Sequence, residues 1–467
     1  MKNLFLILVL IFAINIGYSA NFSVDWNKTI DFVNQWDEGK KLAIDSSGNI
    51  YAAGKFDIGP NNAAYIASYD SLGVLRWSKV INYSGGWDEF VDIYIDSSNV
   101  LYLTGRSQVG ANYGFLTMSY DSLGNHLWNN SIDYVGGHNY GEAIIADDSG
   151  NSYVVGRVNE GVNDDVFVVS YNSSGAQRWN DTRTSAAGID YGRAIVIDSL
   201  NNIYIAGDKY VGTTHDVYVA SYNSSGNLRW ETTFPSTAGT DSGDGIAIDS
   251  SRNIYVVGKI SNGVNYDFFI VSYNSSGVHR WNDTIDYDGG HDYYKEVKLD
   301  ALGNVYVVGY GDHTTFNNDG FVISYDNLGN RRWNKTVHFG SDNDYLRYID
   351  IDSSGNSYVT GNSDVGTHND IILRVYNSSG NLTWSQNIDF FGGNDYPKDI
   401  LLDASGNFFL TGYVYNSSDY EFLVMKILNN LDVGSEGSSS IANLFPFVGF
   451  FSSMFILTSL LFYFVFS

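Results

Sequence analysis

Short stretches in which polar and apolar residues alternate follow one another along most of the chain. Within residues 190–234, YGRAIVID alternates in this way, IYIAG and VYVASY are apolar runs, and LRWETTF alternates again. Period-two alternation, many β-branched and aromatic residues, and Gly, Asn and Ser between the runs are typical of β-strands joined by turns. The segment therefore predicts four consecutive strands, A to D, with a longer B–C loop, DKYVGTTHD.

This four-strand pattern repeats with a fixed period. A Trp in strand D and a Gly that ends strand B both recur every 51 residues, with a single step of 52. Periods of about 40–50 residues built from short strands indicate the blades of a β-propeller. The longer step falls within 310–320, which predicts a loop that tolerates insertion. The Trp series comprises Trp26, Trp77, Trp128, Trp179, Trp230, Trp281, Trp333 and Trp384.

The two ends of the repeat region complete one blade between them. The A–B phrase occurs eight times, from 43–54 to 401–412, but its last copy lacks a strand D. The segment SVDWNKTI (23–30) matches strand D and precedes the first strand A. Pairing these ends would close the ring and remove exposed sheet edges. We therefore predict an all-β fold, an eight-bladed β-propeller of four-stranded blades over residues 21–430, because seven blades would leave one unpaired.

Phrases such as AIDSSGNIYAAG (43–54) resemble the SBBP-type β-propeller repeat and, more distantly, NHL-type repeats. The resemblance covers about residues 21–430 and implies a secreted or surface-displayed propeller without a shared catalytic motif. That family is usually seven-bladed, so a count of eight departs from it. The phrase YNSSGNLRW (222–230) also distantly resembles the tryptophan-docking repeats of pyrroloquinoline quinone enzymes, which are eight-bladed. Those redox enzymes typically add a vicinal cysteine pair, which is missing here.

Composition excludes several classes of function. The chain has 52 acidic and 26 basic residues and a formal net charge of −26. Binding of nucleic acid needs clustered Lys and Arg, so we exclude it. The absence of Cys excludes a disulfide framework, a thiol nucleophile and a thiolate metal site. Neither HExxH nor GxSxG occurs, so the sequence predicts no zinc site and no hydrolase nucleophile elbow.

Both ends of the chain have the composition of targeting segments. Residues 1–20 have one Lys, an apolar run and small residues, which predicts a secretory signal peptide. Residues 431–440 form a Gly/Ser linker, and 441–466 is an uncharged stretch long enough to span a bilayer. We therefore predict an exported ectodomain at the cell surface, held by a C-terminal transmembrane helix. A removable lipid-anchor signal is the alternative for the same tail.

A repeated Asn-Ser-Ser sequence fits both a tight turn and a glycan acceptor. Its Asn position is Asp in other blades, at Asp70, Asp121 and Asp326, and a Gly follows three residues later. Asp and Asn share a short side-chain oxygen that bonds turn backbone, so this position is primarily a turn. A second set of acceptor sequences lies on strand D, after the Trp, and exported proteins can be glycosylated at such sites. The candidate glycosylation sites are Asn27, Asn172, Asn180, Asn223, Asn274, Asn282, Asn334 and Asn377.

An acidic position just before strand A recurs with the same period. Strand A is innermost in a propeller, so these side chains are expected around the channel mouth, near acids that follow the B–C loops. Each Asp either caps its own loop or contributes to a ring that binds a hard cation, chiefly Ca²⁺, for example through Asp190, Asp241 and Asp292. The proposed ring is Asp37, Asp88, Asn139, Asp190, Asp241, Asp292, Asp344 and Asp395. The B–C acids are Asp165, Asp216, Asp267, Asp319, Asp370 and Glu421.

Two classes of function are compatible with this sequence. The first is a non-catalytic surface module for adhesion or the envelope, whose multivalent acidic face binds a surface protein or a glycan. The second is a surface enzyme, a lyase or quinone-type oxidoreductase, with its site at the channel mouth. An enzyme would need one blade to depart from the repeat near the axis, and only the loop at 310–320 does so noticeably. Near-identical loops favour multivalent binding, and no catalytic residue is predicted.

Overall fold

The computed structural model describes residues 21–430, except for short gaps at 32–35, 84, 134–136, 160, 162, 186–187, 236–238, 313–316, 339–342 and 365. These residues form 32 strands in eight four-stranded antiparallel sheets. Blade 1 comprises β2 (Glu38–Ile44), β3 (Ile50–Asp57), β4 (Asn62–Tyr69) and β5 (Leu75–Ile81), and blade 2 comprises β6 (Asp88–Ile95), β7 (Leu101–Val109), β8 (Asn112–Tyr120) and β9 (His126–Ile132). Blade 3 comprises β10 (Tyr140–Ala146), β11 (Ser152–Asn159), β12 (Asp164–Tyr171) and β13 (Gln177–Arg183), and blade 4 comprises β14 (Tyr191–Ile197), β15 (Ile203–Val211), β16 (Thr214–Tyr222) and β17 (Leu228–Phe234). Blade 5 comprises β18 (Ser242–Ile248), β19 (Ile254–Ser261), β20 (Tyr266–Tyr273) and β21 (His279–Ile285), and blade 6 comprises β22 (Asp292–Leu299), β23 (Val305–Asp312), β24 (Asn318–Tyr325) and β25 (Arg331–Val337). Blade 7 comprises β26 (Asp344–Ile351), β27 (Ser357–Asp364), β28 (Asn369–Tyr376) and β29 (Leu382–Ile388), and blade 8 comprises β30 (Asp395–Leu402), β31 (Phe408–Tyr415), β32 (Tyr420–Asn430) and β1 (Asn21–Ile30).

The eight-bladed architecture and its closure by an N-terminal strand are confirmed. Strand β1 pairs antiparallel with β32, from Asn21 opposite Asn430 to Ile30 opposite Phe422. Each innermost strand contacts the innermost strands of both neighbouring blades, and β30 of blade 8 contacts β2 of blade 1. The ring therefore leaves no open seam. We call the side with the D–A and B–C loops the mouth face, and the side with the A–B and C–D turns the turn face.

The repeated phrase SYNSSG..RW joins neighbouring blades. In blade 3, Arg178 Nη1 donates hydrogen bonds to Tyr153 Oη at 3.1 Å and to Ser170 Oγ at 2.9 Å. Its Nη2 donates to the carbonyl oxygen of Ser224 in blade 4, at 2.9 Å. The same contacts recur at Arg229 and Arg280. The phrase is thus a structural element of every blade seam where it is complete.

The Asn of this phrase forms the expected turn. The Oδ1 atom of Asn223 accepts hydrogen bonds from the backbone amides of Ser225 and Asn227, both at 3.0 Å. Asp70 makes the same pair of bonds in blade 1, which explains why Asp and Asn alternate at this position. The Gly three residues on has a positive φ, 84° at Gly226. The turn interpretation of these sites is therefore confirmed.

The predicted signal peptide (1–20), linker (431–440) and membrane helix (441–466) lie outside the described residues. The residues that are described include no helix long and apolar enough to cross a membrane.

Candidate functional site

The eight ring residues lie under the mouth face rather than on it. All are 0–1 % exposed, and they occupy the corners between the D–A loop and the end of strand B. Asp190 Oδ1 accepts the amide hydrogen of Tyr210 at 2.7 Å, and Asp241 Oδ1 accepts that of Ser261 at 2.7 Å. The expectation that these carboxylates are displayed around the channel is therefore corrected, because the loop amides draw them into the protein. The same position holds Asp37, Asp88, Asn139, Asp190, Asp241, Asp292, Asp344 and Asp395.

The second predicted acidic circle is also mostly buried. Asp165, Asp216, Asp267, Asp319 and Asp370 are buried, and Glu421 is half-buried. At the seam between blades 5 and 6, oxygens of Asp267, Asp286 and Asp292 lie within 4.8 Å of one another. Burial first, and then the charges of Asp286 and Asp267, raise the pKa of Asp292 to about 8. Binding of Ca²⁺ at Asp190, Asp241 and Asp292 stays a prediction.

A β-bulge interrupts every innermost strand at one position, and it is this position that faces the channel. The register of β14 against β15 shifts between Gly192 and Ala194, so Arg193 is left without a partner in the ladder. Bulges redirect a side chain away from the regular pleat. We call the eight residues at this position the bulge ring; five are basic and two are acidic. They are Lys40, Val91, Glu142, Arg193, Asp244, Lys295, Arg347 and Lys398.

Basic side chains at the mouth are stacked against aromatic rings. The guanidinium of Arg157 lies 4.2 Å from the ring centre of Tyr140 and 4.6 Å from that of Tyr191. Arg106 lies in the same way between Tyr113 and Tyr140. Cations in this position are attracted to the negative ring face. We call this arrangement the aromatic–cation belt; its cations are Lys55, Arg106, Arg157, Arg193, Lys259, Lys295, Arg347 and Lys398.

On one side of the mouth, the cations are paired with glutamates. Glu89 accepts from Lys40 at 2.9 Å and from Arg106 at 2.8 Å. Glu38 lies 3.0 Å from Lys398 and 3.4 Å from Lys55. Each of these two glutamates therefore lies between two cations, so all four cations have a carboxylate within 3.4 Å.

The opposite side of the mouth retains positive charge. Lys259 lies 4.1 Å from the ring centre of Tyr266, and Arg347 lies 4.7 Å from that of Tyr310. Among the described residues, neither cation has a carboxylate within 4.0 Å, and Lys295 has one only at 3.7 Å, from Asp244. Burial, together with the nearby cations Lys295 and Arg193, lowers the pKa of Lys259 against the opposing charge of Asp244. Lys259, Lys295 and Arg347 form what we call the basic sector.

Below the bulge ring, the channel has one charged wall and one apolar wall. The next residue of each innermost strand is Lys41, Asp92, Ala143, Ala194, Gly245, Glu296, Tyr348 or Asp399. The three small residues belong to consecutive blades and leave room for a cavity of about 730 Å³. Lys41 Nζ donates to Asp399 Oδ1 at 3.0 Å. Although burial opposes it, the charges of Asp399 and Glu296 raise the pKa of Lys41.

The carboxylates of the charged wall also bond the neighbouring blades. Asp92 accepts the amide hydrogen of Ile144 in blade 3 at 2.8 Å, and Asp399 accepts that of Leu42 in blade 1 at 2.9 Å. Burial, which outweighs the opposing charge of Lys41, raises the pKa of Asp92 to about 6. These acids therefore hold innermost strands together as well as line the channel.

Sequence reasoning missed the axial residues. It found only the loop at 310–320 to depart from the repeat, whereas the bulge ring and the residues after it differ from blade to blade. The signal was present in the segments KKLAID, VDIYID, YKEVKLD and PKDILLD, which carry charges where strict alternation predicts none. The bulge shifts the side-chain direction by one residue, so period-two alternation alone assigns these positions to the wrong face.

Comparison with known proteins defines the fold and no more. The chain matches no protein-family model and no curated protein in sequence, so the resemblance to SBBP-type repeats stays a prediction. Solved structures with a similar fold include Sqt1 from Chaetomium thermophilum (TM-score 0.57, 10 % identity, covering 87 % of this chain and 99 % of that chain). The quinohemoprotein alcohol dehydrogenase ADHIIG from Pseudomonas putida HK5 has a TM-score of 0.55, 9 % identity, and coverage of 90 % and 78 %. BamB from Moraxella catarrhalis has a TM-score of 0.51, 13 % identity, and coverage of 87 % and 99 %. At these identities the similarity establishes a shared propeller fold alone.

Proposed function

We propose that this protein is a non-catalytic binding module of the cell surface, whose mouth face holds an anionic partner, either a surface protein or a glycan. The observation that supports this proposal is the basic sector. Lys259 and Arg347 are stacked on tyrosine rings without a carboxylate partner within the described residues. An anionic group placed there would supply the missing charge.

The physical setting favours an anion at this place over others. Most of the surface of a protein with net charge −26 repels an anion. The basic sector attracts an anionic ligand locally and thereby also orients it as it approaches. The tyrosine rings restrict the cationic side chains, which lowers the entropy lost on binding. Aromatic faces beside cations suit sugar rings with carboxylates as well as acidic peptide segments.

Export and membrane anchoring of the propeller complete the proposal. They rest on the apolar segments at 1–20 and 441–466. Among proteins with this fold, one Sqt1 structure is bound to the N-terminus of ribosomal protein L10 (86 % of this chain covered, TM-score 0.55, 10 % identity). Protein binding is therefore compatible with the fold.

An array of acidic and neutral glycans, together with acidic peptides, tests the proposal with residues 21–430. The double variant Lys259→Gln/Arg347→Gln should lower affinity for the anionic ligand about tenfold or more, since each stacked cation contributes on the order of 1 kcal/mol. Lys55→Gln is the matched control, because Lys55 already has a carboxylate partner in Glu38, at 3.4 Å. Equal losses in both variants, or binding of neutral ligands alone, would contradict the basic sector as the site.

A surface enzyme, a lyase or a quinone-type oxidoreductase, is the second candidate. The raised pKa of Asp92, about 6, supports an enzyme, because perturbed carboxyl groups in a channel are often found at catalytic sites. Its bond to the amide of Ile144 favours a structural role instead. If Asp92 is catalytic, Asp92→Asn abolishes turnover and leaves the melting temperature unchanged. If it is structural, the melting temperature falls and ligand binding at the mouth is preserved.

A further inference from the structure

The turn face exposes an apolar patch on the adjoining blades 1 and 2, and separate large apolar residues on other blades, such as Leu302 and Leu328 of blade 6. Five large apolar side chains lie exposed at its edge, with 47–76 % of their surface accessible: Leu72, Val74, Leu75, Leu123 and Leu127. The two blades adjoin here, since Trp77 Nε1 donates to the carbonyl oxygen of Ser122 at 3.1 Å. Isolated exposed leucines are ordinary, whereas a group on adjoining blades marks an interaction surface.

Most other blades have polar residues at the positions of Leu72, Leu123 and Leu127, and the exception is Leu328 of blade 6. Where blades 1 and 2 have Leu72 and Leu123, the C–D turns of blades 3, 4, 5 and 7 have Ser. Where blade 2 has Leu127, blades 1, 3, 4, 5 and 6 have Arg. The turns themselves are formed by Asp70 and Asp121, which accept the amide hydrogens of the turn. The fold therefore does not require apolar residues at these positions.

The chain leaves the propeller beside this patch. Strand β32 ends at Asn430, on the turn face, and Lys426 Nζ donates to the carbonyl oxygen of Ser71 at 2.8 Å. Ser71 immediately precedes Leu72. The sequence beyond Asn430 has a ten-residue linker followed by an uncharged stretch that begins at 441. Gly/Ser-rich sequences of ten residues span roughly 17 Å on average as random coils, so the proposed anchor would keep the patch within reach of the bilayer.

We propose that the patch of blades 1 and 2 contacts the lipid surface, with its leucines in the interfacial region. The proposal rests on the membrane anchoring put forward above. Tethering raises the effective concentration of the patch at the bilayer, so that a weak apolar contact suffices. Asp70 and Asp121 bring negative charge to the same turns, so the contact is apolar and favours neutral over anionic lipids. The bilayer would thus fix the orientation of the propeller instead of leaving it free on its linker.

The full chain reconstituted in phosphatidylcholine vesicles tests this contact, and the lack of native cysteine permits single labels. One reporter, Ser98→Cys, lies on an exposed A–B turn of blade 2 on the turn face. The control reporter, Val264→Cys, lies on a mouth-face loop where Val264 is 90 % exposed. With a polarity-sensitive fluorophore, we expect emission at position 98 to be at least twofold stronger and blue-shifted relative to position 264.

Variants that copy the other blades then identify the cause. Leu72→Ser, Leu123→Ser and Leu127→Arg together should reduce the signal at position 98 to that at 264, without lowering the melting temperature. Equal signals at the two positions, or a signal that survives the triple substitution, would overturn the proposal. So would the same emission change in lipid-free samples that depends on protein concentration, which would indicate pairing with a second copy. If the chain does not float with the vesicles, the proposed membrane anchoring is wrong, and the proposed lipid contact, which rests on it, is wrong too. If the chain floats but positions 98 and 264 give equal signals, only the proposed lipid contact is wrong.

Discussion

The indole of Trp179 in blade 3 lies against Gly226 of blade 4, with no room between them for a side chain. A Cβ atom on Gly226 would come within 2.4 Å of the indole carbon Cδ2. Trp179 Nε1 donates to the carbonyl oxygen of Ser224, two residues before this Gly, at 3.1 Å. The Trp repeat is therefore a blade-to-blade contact. The same pairing joins Trp77 to Gly124 and Trp230 to Gly277.

Substitution of this Gly should destabilise the propeller more than its backbone conformation alone explains. Gly226→Ala forces an L-residue into φ 84° and pushes Cβ into the indole. The backbone contributes about 1–2 kcal/mol and the overlap a further 1–3 kcal/mol to the loss of unfolding free energy. Gly212→Ala is the control, because Gly212 has φ 70° and nothing within 4 Å. Chemical denaturation should show the larger loss of unfolding free energy for Gly226→Ala. Equal losses in the two variants would mean that the indole of Trp179 moves aside without cost.

Ring closure should depend on a single aromatic residue of β1. Phe22 is 6 % exposed and packs on Tyr358, Trp384 and Phe408, with ring centres 5.0–5.9 Å apart. Phe22→Ala should lower the unfolding free energy by about 3–5 kcal/mol, as for large aromatic truncations in cores. Val24→Ala in the same strand, where Val24 is 39 % exposed, should cost far less.

Deletion of 21–30 tests the same closure more severely. It removes one of the two partners of β32 and exposes unpaired ladder groups, so the protein should aggregate or lose cooperative unfolding. A monomer with unchanged melting behaviour would contradict closure by β1.

Fold and blade number were predictable because they follow from local signals repeated eight times. A turn residue such as Asn223 and its Gly226 fix a turn through their own backbone, so the pattern needs no tertiary information. The closing strand was predictable because the last blade lacks a strand D, and the unassigned N-terminal strand has the sequence pattern of a strand D.

The site was less predictable because it depends on direction and burial. Asp190 is conspicuous in the sequence, yet its hydrogen bond to Tyr210 draws it inside. Arg193 is inconspicuous, yet the bulge aims it at the channel. The aromatic–cation belt combines residues from strands A, B and C of adjacent blades, and such contacts are not visible in one-dimensional spacing.

The raised pKa of Asp292 makes stability depend on pH in a definite direction. Its folded pKa is about 8, well above the unfolded value near 3.8, so the folded state binds more protons between these limits. The contribution of protonated Asp292 to the stability of the folded state is therefore lost as the pH rises from about 4 to about 8. Asp292→Asn should raise the melting temperature at pH 8 and change it little at pH 4. Asn139 already occupies this position in blade 3, where its Oδ1 accepts from Asn159 at 3.0 Å.

Thermal unfolding of both proteins across this pH range checks the sign. A benefit of Asp292→Asn that grows as the pH is lowered would contradict the assignment. Asn139→Asp is the reciprocal control, which should destabilise blade 3 at pH 8 more than at pH 4.

Calcium should distinguish capping carboxylates from an ion-binding ring. If the ring binds Ca²⁺, millimolar CaCl₂ should raise the melting temperature more than NaCl of equal ionic strength, because the ion relieves repulsion among buried carboxylates. The triple substitution of Asp190, Asp241 and Asp292 by Asn should remove the difference and leave the fold intact. Identical effects of the two salts on the unsubstituted protein would leave the ring purely structural.

Glycosylation should be detectable separately from the turn function of the same Asn residues. The strand-D sites Asn27, Asn180, Asn282 and Asn334 are exposed, as a glycan acceptor must be. At Asn223, Oδ1 is engaged by two turn amides, and Asp performs the same role in blades 1, 2 and 6. Asn223→Asp should therefore remove any attached glycan without lowering the melting temperature. Asn223→Ala should cost about 0.5–1.5 kcal/mol of unfolding free energy, because the exposed turn loses its side-chain hydrogen bonds. Peptide mass analysis of the native protein, before and after enzymatic deglycosylation, measures occupancy. Unmodified peptides at all eight predicted sites would mean that the sequons are by-products of the turn and strand sequences.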